Sequence, residues 1–256
     1  MGLNMEKTLS QRDYRILIGA AGWQHPEWAN DVFYPDDLPE DWYLSFYANE
    51  FPITLVADSQ WNYMAAFEHI IDEIIEQATP GFKCIFELDM AEYLIGGDTE
   101  NNSIQSNINL RLERLHQVKS FVSGLLISTD SNAFENESFC DELVSLNNRF
   151  KVCLELNNSA TELELTNIKT FCEQNAMSMC WRGEGEGEAI VPEGSSIWVA
   201  RCDSNQDNKA LTQQLKTVIG EQLKRETLSR EHIIIIDGTP PKIETIRNAN
   251  IMMDIM

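Results

Sequence analysis

The segment Lys151–Trp181, KVCLELNNSATELELTNIKTFCEQNAMSMCW, decides the fold. It begins with an apolar run of strand length, Lys151–Leu156, and continues with helical spacing over Glu162–Gln174. It ends with a second apolar run, Met177–Trp181. Two strands joined by a crossover helix run parallel, because the helix returns the chain to the end of the sheet at which the first strand began. The segment therefore predicts a parallel β-sheet.

The same alternation of strand-like and helix-like segments continues along the chain. Strands are predicted at Arg15–Ala20, Ile53–Ala57, Phe82–Leu88, Gly124–Ser128, Lys151–Leu156, Met177–Trp181, Ser196–Cys202 and His232–Asp237. Helices are predicted between them at Pro39–Glu50, Met64–Gln77, Ile108–Phe121, Ser138–Asn147, Glu162–Gln174 and Lys209–Arg225. Eight strands that alternate with helices in about 240 residues favour a closed (β/α)8 TIM barrel over an open sheet.

One connection departs from this alternation. Residues Gly183–Gly194 contain four glycines, alternate Gly with Glu and show no amphipathic period. We therefore expect a Gly/Glu-rich loop in place of the helix between strands six and seven. No linker divides the chain, so residues 15–256 are predicted to form one barrel domain after an N-terminal extension, residues 1–14.

Net charge restricts the class of partner. The chain has 19 Lys and Arg residues against 41 Asp and Glu residues, which gives a net charge of −22. A field of this sign repels nucleic-acid phosphates and anionic membranes, so we expect neither as a partner. A small-molecule ligand is compatible with the charge, and the oligomeric state is left open.

Targeting signals and metal-binding spacings are missing from the sequence. The chain has no apolar stretch of signal-peptide or membrane-spanning length. Its six cysteines form no Cys-x-x-Cys pair, and its four histidines lack zinc-ligand spacing. We therefore expect a soluble cytoplasmic protein with reduced cysteines and no zinc.

The segment Ile18–Trp28, IGAAGWQHPEW, followed by Val32–Pro35, VFYP, resembles the YecE-like domain-of-unknown-function family of TIM barrels. This resemblance implies a barrel over nearly the whole chain. The chain departs from the family pattern after strand two, at Ala57–Asn62, and after strand five, at Asn157–Ser159, where polar family positions are replaced. The departures imply a divergent member whose activity is altered or lost.

Reactive groups of a TIM barrel lie at the carboxyl ends of its strands, where eight loops converge. By the two-residue period of a strand, Glu87, Glu155 and Arg201 are predicted to point into the barrel near this mouth. They are the candidate catalytic residues, with the two carboxylates as an acid/base pair and Arg201 orienting an oxygen-rich substrate. The competing interpretation is a buried salt bridge that closes the top of the core.

Other residues near the strand ends are candidates for ligand binding. Trp23 and His25 follow strand one, and their alternative roles are packing of the first loop and a loop hydrogen bond. The remaining ligand-binding candidates are Asp58, Asn157 and Asp237. A divalent cation could be held by Asp58, Glu87, Glu155 and Asp237, but no residue is assigned to a metal and the cofactor is left unknown.

Two functions remain open from the sequence. The first is a barrel that binds or transforms a small polar, hydroxylated molecule at its mouth. The second is a divergent barrel without catalytic activity that acts as a binding or regulatory protein. The retained ionisable residues favour the first, and the departures from the family pattern favour the second.

Overall fold

Eight parallel strands form one sheet in the computed structural model, which describes residues 15–90, 108–157, 159–182, 190–224 and 231–255. The strands are β1 (Arg15–Ala21), β2 (Ile53–Val56), β3 (Lys83–Asp89), β4 (Val122–Thr129), β5 (Val152–Leu156), β6 (Ser178–Met179), β7 (Ile197–Asp203) and β8 (Glu231–Asp237). Their order in the sheet is β6-β5-β4-β3-β2-β1-β8-β7. Strands β1 to β6 thus pair in sequence order, β7 pairs with β8, and β1 pairs with β8 as a ring requires.

The ring closes between β6 and β7. Trp181, two residues beyond β6, forms a parallel bridge with Ala200 of β7. The Trp181 amide donates to the Val199 carbonyl oxygen at 3.0 Å, and the Arg201 amide donates to the Trp181 carbonyl oxygen at 2.8 Å. The architecture is a TIM-like barrel, which confirms the predicted fold class.

Helices flank the barrel at the predicted places. They are α1 (Tyr43–Glu50), α2 (Asp58–Trp61), α3 (Met64–Gln77), α4 (108–115), α5 (Glu137–Arg149), α6 (Glu162–Asn175), α7 (Asn208–Lys224) and α8 (Ile243–Ile255). Local chemistry sets some of the boundaries: α6 begins at a capping box in which Thr161 and Glu164 each bind the other's backbone amide. The four-residue helix α2 was not predicted, because it is too short to show a helical period.

The connection between β6 and β7 has no helix in its described part, residues 180–182 and 190–196. The Gly/Glu-rich residues 183–189 lie outside the described residues, as does the predicted N-terminal extension, residues 1–14. The division into one extension and one domain stays a prediction. Strand β6 is shorter than predicted, since only Ser178 and Met179 pair with β5.

The core has an inner and an outer part. Inside the barrel is an apolar cluster of Leu17, Ile53, Leu55, Ile85, Leu126, Cys153, Ile197, Val199, Ile233 and Ile235. A larger cluster packs between the strands and helices, and it includes Val152 and Leu154. Cys153 therefore faces inward while its neighbours face the helices, as the strand period predicts. Gly124 leaves room inside the barrel, since a Cβ there would lie 2.6 Å from Ile197 Cδ1.

All six cysteines are free, and four of them are buried: Cys84, Cys153, Cys172 and Cys202. Burial raises the pKa of these thiols, which keeps them in the protonated form. No helix in the described part of the chain combines the length and apolar character needed to cross a membrane.

Candidate functional site

Four charged side chains share the inner face of the barrel at its carboxyl end. Glu87 belongs to β3, Glu155 to β5, Arg201 to β7 and Asp237 to β8. Each follows, two positions along its strand, a residue of the inner apolar cluster. The strand period keeps both on the same face, so a charged layer lies directly above the apolar interior.

Arg201 is the centre of this charged layer. Its Nη1 donates to Glu87 Oε1 at 2.9 Å and to Glu155 Oε2 at 2.8 Å. Its Nε and Nη2 donate to the two carboxylate oxygens of Asp237 at 2.8 and 3.0 Å. These contacts bring together the three candidate catalytic residues and add Asp237, which was a candidate for ligand binding.

The hydrogen bonds of Arg201 limit what it can offer a ligand. A guanidinium has five N–H donors, and four of those of Arg201 point at the three carboxylates. At most one N–H is left, which is too few for the paired contact expected between Arg201 and a substrate. Its side chain is 14% exposed. Within the described residues, Arg201 therefore orients carboxylates.

Glu155 is the most deeply buried member of the layer, with its side chain 2% exposed. Arg182, just beyond β6, donates from Nε to Glu155 Oε1 at 2.6 Å. Glu155 Oε2 accepts from Arg201. Both oxygens of this carboxylate are therefore bound by guanidinium groups, which compensates the cost of burying its charge.

Glu87 differs from Glu155 in its second oxygen. Glu87 Oε1 accepts from Arg201, whereas Oε2 has a backbone contact with the Asp58 amide at 3.4 Å. Burial raises the pKa of Glu87 above its usual value, and the charge of Glu155 adds to this, although Arg201 opposes it. Glu87 is therefore the carboxyl of the layer that is best suited to exchange a proton.

Asp237 raises the affinity of Arg201 for its proton. Burial alone would lower the pKa of Arg201, but the hydrogen bonds and charge of Asp237, with the charges of Glu155 and Glu87, raise it. Arg201 therefore stays charged at every accessible pH. It supplies a permanent positive charge among the three carboxylates.

A second ion pair adjoins Glu87. Arg111 of α4 donates from Nη2 to Asp58 Oδ1 at 2.6 Å, and its guanidinium stacks 3.8 Å above the Trp61 ring. Trp61 is fully buried and donates from Nε1 to the Glu87 carbonyl oxygen at 2.7 Å. The unpredicted helix α2 carries both Asp58 and Trp61 and so connects this pair to the charged layer.

A known family model matches the first part of the barrel. Residues 17–91 match the family described as "Protein of unknown function DUF72". This part of the chain is similar to the DUF72 family. This confirms the resemblance seen at Ile18–Trp28. No curated protein has a sequence that matches the chain.

Two solved structures show a likeness in fold that extends beyond the matched residues. A DUF72 family protein from Thermotoga maritima MSB8 is similar with a TM-score of 0.68 at 12% identity, covering 94% of this chain and 100% of its own. A DUF72 family protein from Enterococcus faecalis V583 is similar with a TM-score of 0.65 at 13% identity, covering 95% of this chain and 98% of its own. The likeness extends over almost the whole barrel.

The structure places Trp23 and His25 in the packing of the first loop. Trp23 is fully buried. His25 lies with Nε2 2.8 Å from the Ala21 carbonyl oxygen, and its ring packs on Trp28 at 4.3 Å between centroids. Burial lowers the pKa of His25, which favours the neutral ring. Both residues fit the structural alternatives considered from the sequence.

Asn157 lies at the mouth but outside the charged layer. Asn157 is exposed, and its backbone N–H donates to the Thr129 carbonyl oxygen at 2.9 Å. Of the ligand-binding candidates, Asp58 and Asp237 thus join the ionic contacts at the mouth, and Asn157 stays accessible.

The carboxylates proposed for a divalent cation are engaged by arginines. Asp237, Glu155 and Glu87 bind Arg201, and Asp58 binds Arg111. Within the described part of the barrel, no three His, Cys, Asp or Glu side chains are arranged to hold a metal ion. The Arg201 guanidinium occupies the position between carboxylates that a cation would need.

Two arginines of the site were not among the candidate site residues. Arg182 follows a strand end, so its position was a signal, but β6 is too short to show which way its residues face. Arg111 lies on a helix, 53 residues from its partner Asp58, and no local pattern marks such a contact. Both extend the predicted cluster toward the rim of the barrel.

Proposed function

We propose that the mouth of the barrel binds a small hydroxylated molecule against Glu87, which donates or accepts a proton there. One observation carries this proposal. Among the three carboxylates that contact Arg201, Glu155 and Asp237 have both oxygens bound by arginines, whereas within the described residues Glu87 Oε2 has only a long backbone contact. A ligand hydroxyl can donate to that oxygen without displacing a guanidinium.

The surroundings of Glu87 support the same role. The Glu87 and Asp58 side chains are 18% and 19% exposed, so both carboxylates are shielded but reachable. The raised pKa of Glu87 moves its titration toward neutral pH, where an acid/base group is most effective. Arg201 keeps Glu87 Oε1 in place and so leaves Oε2 oriented. We infer that Arg201 and Glu155 are positioning residues for Glu87.

The experiment measures the dependence of sugar binding on Glu87. Binding of glucose, glucuronate and glucose 6-phosphate at millimolar concentrations is followed by calorimetry for the parent chain, Glu87→Gln and a control, Glu244→Gln. Glu244 is a surface residue whose side chain is 79% exposed, so its loss should not affect the mouth. We expect Glu87→Gln to weaken binding about tenfold or more, because a hydrogen bond to a charged group contributes about 1.5–3 kcal/mol.

Two outcomes contradict this proposal. The first is that the parent binds none of the three sugars. The second is that Glu87→Gln binds them as tightly as the parent does. Circular dichroism and melting of each variant show whether a loss of binding reflects a loss of folding.

A barrel without catalytic activity is the second candidate, and the mutual contacts of the charged layer favour it. Arg201, the buried Glu155 and the partly buried Asp237 satisfy one another and close the core without a ligand. Under this alternative the layer stabilises the fold, and binding of partners lies elsewhere. Strong destabilisation by loss of Arg201, together with no Glu87-dependent binding, would support it.

A further inference from the structure

We propose that Arg182 recognises an oxyanion on the ligand, so that the molecule bound at the mouth is a hydroxylated acid bearing a carboxylate or a phosphate. This inference rests on the proposed function and names its substrate class. It makes Arg182 the residue that separates charged from neutral ligands.

Arg182 is held in place at both its side chain and its backbone. Its Nε is fixed by Glu155 Oε1 at 2.6 Å, and Glu155 is in turn held by Arg201. Its carbonyl oxygen accepts from Nε2 of the buried Gln214 at 2.7 Å. The preceding residue, Trp181, is fixed in the bridge that closes the barrel. Anchoring of this kind lowers the entropy that the side chain loses when it binds a ligand.

Exposure distinguishes Arg182 from the other arginines of the mouth. Its side chain is 53% exposed, whereas Arg201 is 14% and Arg111 is 6% exposed. A guanidinium is planar, so a bond at Nε directs its terminal Nη1–Nη2 edge away from the Glu155 carboxylate. That edge matches the two oxygens of a carboxylate or phosphate in a paired, charge-assisted contact. Arg182 thus combines a fixed inner end with an accessible outer end.

The distribution of charge agrees with an acidic ligand. The chain has 10 arginines and a net charge of −22, and three of these arginines meet at the mouth. The overall field repels anions, but it is screened beyond about 8 Å at physiological ionic strength. An acidic ligand therefore needs a cation at close range, and Arg182 is the accessible one among the three. The hydroxyl groups of the same ligand would reach Glu87. Glu87 binds Arg201 at Nη1, whereas Asp237 binds it at Nε.

The test compares three sugars that share one ring and differ in charge. Glucose is neutral, glucuronate carries a carboxylate and glucose 6-phosphate carries a phosphate. Their dissociation constants are measured for the parent, Arg182→Gln, Arg182→Lys and a control, Arg114→Gln. The control removes the same charge from a partly exposed arginine that pairs with Glu68 on the outer helices.

We expect the parent to bind at least one of the charged sugars about tenfold or more tightly than glucose. Arg182→Gln should abolish that preference, so that the charged sugars bind no more tightly than glucose does. Arg182→Lys should keep part of it, since the charge remains but the planar fork is lost. Arg114→Gln should behave as the parent. Which of the two charged sugars is preferred identifies the oxyanion.

Each contrary result has a separate meaning. Sugar binding that depends on Glu87 but shows no preference for charge, or a preference that survives Arg182→Gln, overturns this inference and leaves the proposed function intact. No binding of any of the three sugars to the parent overturns both. If Arg182→Gln melts far below the parent, the folded Arg182→Lys variant is used instead. If Arg182→Lys keeps the parent's full preference for charged sugars, the paired contact of the Arg182 guanidinium is contradicted.

Discussion

Replacing Arg201 with methionine removes the positive charge that three carboxylates share. The variant keeps a side chain of similar length but loses four charge-assisted hydrogen bonds of 2.8–3.0 Å. Glu155, 2% exposed, retains Arg182, while Glu87 and Asp237 lose their guanidinium partner. Breaking a buried pair from one side typically costs about 3–5 kcal/mol. At about 2–4 °C per kcal/mol for a chain of this size, we expect Tm to fall by roughly 6–20 °C.

The assay is thermal unfolding of Arg201→Met beside Arg247→Met. Arg247 also makes hydrogen bonds with two carboxylates, Glu50 and Glu244, but its side chain is 40% exposed. Exposed pairs contribute about 0–1 kcal/mol, so this control should change Tm by a few degrees at most. Arg201 opposes the raised pKa of Glu87, so its loss should raise the pKa of Glu87 further. The folded variant then binds more protons than its unfolded state does. The difference in Tm between Arg201→Met and the parent should therefore become smaller as the pH falls from 7 toward 5. Equal Tm changes for the two variants would refute the reasoning.

Three further predictions concern other parts of the molecule. Burial raises the pKa of Glu73, so the charged carboxylate destabilises the folded state. Glu73→Gln should therefore raise Tm near pH 7, and this gain in Tm should disappear as the pH falls through the folded-state pKa of Glu73. A gain in Tm that persists or grows in acid would contradict this. Gly124→Ala should lower the free energy of unfolding by about 1–3 kcal/mol, because the new Cβ would lie 2.5 Å from the Lys151 carbonyl oxygen. Gly220→Ala in α7 meets open space and should raise the free energy of unfolding by up to about 1 kcal/mol. Chemical denaturation measures this free energy for both variants. All six thiols should react with a thiol reagent in denaturant without prior reduction, and the buried ones should react slowly in the native protein; fewer than six would contradict free cysteines.

The strand pattern was sufficient to predict the barrel and the meeting of Glu87, Glu155 and Arg201. Each of these residues ends an apolar strand, and the two-residue period determines which face it occupies. In parallel strands the same ends converge, so residues far apart in sequence could be placed together. The contact of Arg201 with Asp237 follows the same logic, since β7 and β8 are neighbours.

Other parts of the site depend on tertiary packing that no local pattern records. Arg111 reaches Asp58 from a helix, and α2 is a single turn without a period of its own. The competing roles of Trp23 and His25 also differ only in what surrounds them. An aromatic side chain in a loop has the same sequence signature whether it packs the fold or contacts a ligand. Here Trp23 is buried and His25 lies against a backbone carbonyl oxygen, which favours packing.

The bridge between Trp181 and Ala200 connects two properties of the molecule that are usually separate. The Arg201 amide is one of the two donors that close the ring there, and its side chain is the centre of the charged layer. Local opening between β6 and β7 would therefore move the Arg201 guanidinium away from its carboxylates and release Arg182 at the same time. Hydrogen exchange at the Trp181 and Arg201 amides then reports directly on how often the site comes apart in the native state. Any ligand that bridges Arg182 and Glu87 should slow exchange at those two amides, although it touches neither.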